Sequence, residues 1–217
     1  MSSNILIARM SDSKKVYDFI CNGDIESLKS VPISDLKKTN IDFPLLELSI
    51  GRHQVEILDY LLEIGFDDFK HNLFGNILHV FIHNGKSESM SGILSKHQHK
   101  FQDILNEKDV QTGKTPLEFA ISLELIDFAL TLIEMGAQVS DDQITKFVKK
   151  LIKDNDLESI KKYAKSALKW NINHDIDIFD DATRSNTSSE MRDYIFRHVL
   201  TGLDLQVRFN HGIIKCN

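Results

Sequence analysis

Cysteine and proline are scarce in this chain of 217 residues: Cys21 and Cys216 stand near opposite ends, and there are three prolines and ten glycines. Two distant thiols make neither a CxxC pair nor a metal-type cluster, which excludes a disulfide-stapled fold and points to a reducing cytoplasm or nucleus. The low proline and glycine content rules out collagen-like and Pro-rich disordered chains. No apolar run approaches bilayer length, and Ile5 to Ala8 is too short for a signal-peptide core, so an intracellular protein without a membrane span is expected. Without export, the sequon at Asn186 carries no weight. Basic residues are not in excess either. Lys and Arg number 26 against 32 Asp and Glu, a net charge of −6 that gives no global footprint for nucleic acid. What is present is core material: 41% of the residues are hydrophobic, including thirteen Phe.

Internal periodicity organises that material. From Asp109 the chain reads Asp-Val-Gln-Thr-Gly-Lys-Thr-Pro-Leu-Glu-Phe-Ala-Ile, and continues from Ile126 through Gly136 to Val139. Thr115 is placed to cap a helix, with Pro116 at the first helical position, where its missing N–H costs nothing. Leu117, Ala120 and Ile121 form one apolar stripe, and Ala129, Leu132 and Ile133 form a second. Gly136 suits the left-handed residue that ends a helix, and Gly113 suits a turn ahead of the first. This stretch resembles an ankyrin repeat, without a gap from Thr115 to Ala137.

The same grammar recurs upstream. Phe43-Pro44-Leu45 with Val55 to Asp67 is a second such unit, departing from the family at Phe43, where a capping Thr is usual. Gly75 to Gly85 carries the Leu78-His79 pair typical of the family; its second helix spans about Glu88 to His97, and an extended polar insert follows through Glu107. Val16 to Val31 looks like a first unit. Ile144 to Lys153 with Asn155-Asp-Leu-Glu158 reads as a degenerate fifth, and Ile178 to Arg184 with Glu190 to Leu200 as a sixth or a capping pair. Corresponding residues Ile25, Val55, Met90, Ile126, Leu157 and Met191 are 30, 35, 36, 31 and 34 apart, close to the ankyrin period of about 33. The Trp-Leu-Gly-Tyr pattern of tetratricopeptide repeats is absent. The resemblance implies an all-α fold: one solenoid domain over 1–217 of about five to six helix–turn–helix repeats with connecting hairpin loops, at roughly 13–38, 39–70, 71–106, 107–139, 140–172 and 173–200. Residues 201–217 form a short tail in which Leu203, Leu205, Val207 and Phe209 alternate with polar residues, a strand pattern.

Little in the sequence points to catalysis. No phosphate loop or nucleophile elbow is present. His79 and His83 lie four apart, but His79 occupies the family's structural position, and His97 and His99 read as solvated. No catalytic residue, cofactor or metal is expected. Lys146, Lys149, Lys150 and Lys153 fall on one helical face, and Lys161, Lys162, Lys165 and Lys169 cluster on the next, which makes a locally positive patch followed at once by Asp175, Asp177, Asp180 and Asp181. Only Tyr163 and Trp170 lie among those lysines as stacking aromatics, which argues against sequence-specific nucleic-acid reading.

The ankyrin resemblance implies a non-catalytic scaffold, adaptor or inhibitor that holds another protein or peptide on its concave face, as a subunit of a larger complex or as a host-directed effector. Carried over unit by unit, the contact positions are Thr39, Asn40 and Asp42; His71, Asn72, His83 and Asn84; Gln111, Thr112, Lys114, Ser122 and Leu123; then Lys153 and Asp154. The alternatives are a structural assembly subunit docking through its C-terminal helices and tail, and an enzyme on an ankyrin scaffold. The sequence leaves the oligomeric state open.

Overall fold

The computed structural model describes residues 2–39, 44–71, 75–84, 88–165 and 187–199. The expected positions Asn40, Asp42, Asn72 and Lys169, the acidic stretch 175–181, the first helix of the sixth unit and the 201–217 tail lie outside them. The protein is mostly helical. Twelve helices are described: α1 (Ser2–Asn22), α2 (Ile25–Lys29), α3 (Ile33–Leu36), α4 (Leu45–Gly51), α5 (Val55–Glu63), α6 (Ile77–Asn84), α7 (Glu88–Lys96), α8 (Pro116–Ser122), α9 (Ile126–Glu134), α10 (Asp141–Lys153), α11 (Leu157–Lys165) and α12 (Ser189–Val199). Strands β1 (Lys70–His71) and β2 (Gly75–Asn76) pair antiparallel, Lys70 opposite Asn76 and His71 opposite Gly75. None of the described helices is long and apolar enough to cross a membrane.

The chain groups into two compact units, residues 1–131 and 132–217. In the first, α4 packs on α1, α5 and α6, α6 packs on α8, and α5 packs on α7. The apolar stripes face these contacts: Ile57, Leu58, Leu61 and Leu62 of α5 are at most 1% exposed, as are Leu78 and Phe81 of α6. In the second unit, α11 packs on both α10 and α12. Phe147, Val148, Leu151 and Ile152 form the buried side of α10.

One local geometry recurs between paired helices. Gly23, His53, Glu124 and Asn155 all have positive φ, at 71°, 56°, 59° and 58°. In each case the next residue donates its backbone N–H to the carbonyl five positions back: Asp24 to Phe19 at 2.8 Å, Gln54 to Ser49 at 2.9 Å, Leu125 to Ala120 at 3.0 Å and Asp156 to Leu151 at 2.9 Å. This is the left-handed helix stop, which satisfies carbonyls that the helix itself leaves without partners. Gly65 and Gly136 end α5 and α9 in the same way, with Phe66 donating to Leu61 and Ala137 to Leu132.

The segment expected as an extended polar insert, 98–107, is instead packed. Two 3-10 turns, Gln98–Lys100 and Gln102–Ile104, carry Phe101 to full burial. Its ring meets Phe69 at 5.1 Å and Phe81 at 6.1 Å between centroids. Burying one large aromatic outweighs the polarity of its neighbours. His97, expected in solvent, is likewise buried, with Nε2 2.7 Å from an Asp59 carboxylate oxygen. Lys96 joins the same group, donating to Asp59 and to Glu63 at 2.8 Å. Burial raises Asp59, but the bonds from Lys96 and His97 outweigh it and hold the carboxyl below its usual range. His99 is exposed.

Glu47 lies on the buried side of α4 at 8% exposure. Desolvation, with help from the charge of Asp68, pushes its carboxyl up to about 7. Because this lies above the unfolded value of 4.5, the folded state favours the protonated acid. Stability from this group is therefore complete below pH 4.5 and is lost as pH rises to about 7. Glu47→Gln should stabilise the protein at pH 8 by on the order of 2 kcal/mol and change little at pH 4. Urea titrations at the two pH values measure this, and an equal effect at both would refute the account.

Candidate functional site

The best-defined surface feature is the turn from Asp109 to Lys114. It begins with an aspartate whose carboxylate accepts the N–H groups of Gln111 at 2.7 Å and Thr112 at 2.6 Å, together with the Thr112 hydroxyl. The Asp109 N–H donates to the Lys114 carbonyl at 2.9 Å, and Gly113 takes φ 67°. Burial raises the Asp109 carboxyl, but these bonds outweigh it and hold the group below its ordinary range. The turn feeds directly into α8. Thr115 accepts from the Glu118 N–H, and the Glu118 carboxylate accepts from the Thr115 N–H at 2.8 Å, a reciprocal cap with Pro116 at the first helical position.

His79 ties α6 to this turn. It is 1% exposed, and its Nε2 lies 3.0 Å from the Lys114 carbonyl. A carbonyl only accepts, so Nε2 carries a proton; Nδ1 lies 3.1 Å from the Asn76 side-chain oxygen and 3.4 Å from the Asn76 N–H. Burial lowers the imidazole's pKa more than the Lys114 carbonyl and the charges of Asp109 and Glu107 raise it, so His79 is neutral at pH 7. Asn76 completes the link: its side-chain oxygen accepts from the Leu78 N–H at 3.0 Å, and its amide donates to the Ile104 carbonyl at 2.9 Å. Gly75 sits at φ 88°, where an added Cβ would lie 2.9 Å from the Asp109 Cα and Cβ. The turn is thus braced from within and from α6. At its tip Val110 is 85% exposed, and Gln111 and Thr112 are exposed beside it.

The remaining expected contact positions are placed as follows. Thr39 is half-buried and donates its hydroxyl to the Asp35 carbonyl at 3.0 Å; it lines a cleft of about 550 Å³ with Leu36, Pro44, Leu46, Phe66 and Asp68. His71 belongs to β1. His83 is exposed at the end of α6, and Asn84 donates to the Val80 carbonyl at 3.0 Å. Ser122 caps the α8 terminus through the Phe119 carbonyl at 2.9 Å, next to Leu123, which is 45% exposed. Lys153 and Asp154 are exposed at the end of α10. Of these positions, Gln111, Thr112 and Lys114 share one turn, and the Thr112 hydroxyl is committed to holding it. Asp109 and Val110 were missed as site residues. An Asp preceding Thr-Gly by three is a recognisable side-chain-to-backbone turn signal, whereas nothing in the sequence marks Val110 as exposed.

The lysine cluster divides. On α10, Lys146 pairs with Asp142 at 2.7 Å and Lys150 with Asp154 at 3.6 Å, both i,i+4 pairs. On α11, Lys161 bonds Glu158 at 2.7 Å, which holds its ammonium above the usual range, and Tyr194 and Glu190 of α12 act on it too. Lys162 is exposed.

Fold and site together describe a mostly helical protein of paired helices, whose best-braced surface element is a loop turn rather than a cleft lined with reactive groups. No protein-family model, characterised protein or solved structure matches the chain.

Proposed function

We propose that the chain is a non-catalytic protein-interaction module of ankyrin-type repeats, an adaptor or inhibitor that holds a partner protein or peptide on its loop turns and first helices. The observation that carries this reading is the recurrence of one left-handed helix stop at Gly23, His53, Glu124 and Asn155. Spacings of 30 and 31 separate the first pair and the last pair of these residues, near the ankyrin period of about 33. The bonding of His79 to the Lys114 carbonyl supports it too, since this is the role the family assigns to that histidine. A braced turn costs a partner little ordering entropy, which favours binding by Val110, Gln111 and the Lys114 side chain.

Capture of partners by the tagged full-length protein, followed by mass spectrometry, tests the proposal. A stoichiometric partner is expected, with Gln111→Ala plus Lys114→Glu weakening it about tenfold, the range for losing one or two interface contacts. Retention of that partner at full affinity would move the site off this turn. Substrate turnover by the purified protein would overturn the non-enzymatic reading.

A further inference from the structure

We draw no further inference here: the strongest candidate, the cleft lined by Leu36 of α3, Leu45 and Leu46 of α4 and Asp67 and Asp68 after α5, rests on an acidic pair with no second feature that points to a ligand, and its walls Thr39 and Pro44 adjoin residues 40–43, which lie outside the described ones.

Discussion

Gly75→Ala should destabilise the first unit by about 3–4 kcal/mol, among the largest effects of any single methyl added to this chain. Two costs coincide. The residue holds φ 88°, a region that L side chains rarely adopt, and the new Cβ would lie 2.9 Å from the Asp109 Cα and Cβ and 3.1 Å from the His79 Nδ1. Asp109 cannot yield, because its carboxylate is engaged with Gln111 and Thr112 and its N–H with Lys114. Relaxation must come from the β1–β2 pairing or from the turn itself. Urea denaturation followed by circular dichroism should show a lower midpoint with an unchanged slope. A shift below about 0.5 kcal/mol, the range of neutral surface changes, would mean that the close approach of these backbones is not maintained in solution.

His79→Ala should cost about 2–4 kcal/mol, from the lost bond to the Lys114 carbonyl and the space left by a buried ring. It also carries a pH signature. Because the folded-state pKa is depressed by burial, the contribution is present above the unfolded value and is lost as pH falls below about 6.5. The wild type should therefore lose stability between pH 7 and 5 by more than the alanine variant does. Parallel denaturation curves at both pH values decide the matter: if the gap between the two proteins is the same at pH 5, the imidazole is not buried neutral. Since Gly75 and His79 both press on the turn at Asp109, the double variant should lose less than the two single losses added together.

How much of this was legible follows from the range of each interaction. The cap at Thr115, Pro116 at the helix start and the stop at Gly136 are local devices, legible from neighbouring residues alone. The reciprocal cap of Ser140 with Gln143, which starts α10 at Asp141, is equally local but does not figure in the reading of the fifth unit. The burial of His97 depends on Asp59, 38 residues away, and no periodicity carries that information. Phe101 was lost in a polar stretch because 3-10 turns place an aromatic inward without the helical spacing that pattern reading depends on. Glu47 was passed over for the opposite reason, as a polar residue within an apolar stripe whose burial only the packed helices reveal.

The turns between paired helices have a wider consequence. Glycine, histidine, glutamate and asparagine occupy equivalent places there with φ between 56° and 71°. Only glycine adopts that region without penalty; each of the other three spends about 1 kcal/mol to do so. What recurs along this chain is a torsion angle rather than a letter. Residue identity differs from one joint to the next while the torsion stays nearly the same, so a search for glycine alone passes over three of the four.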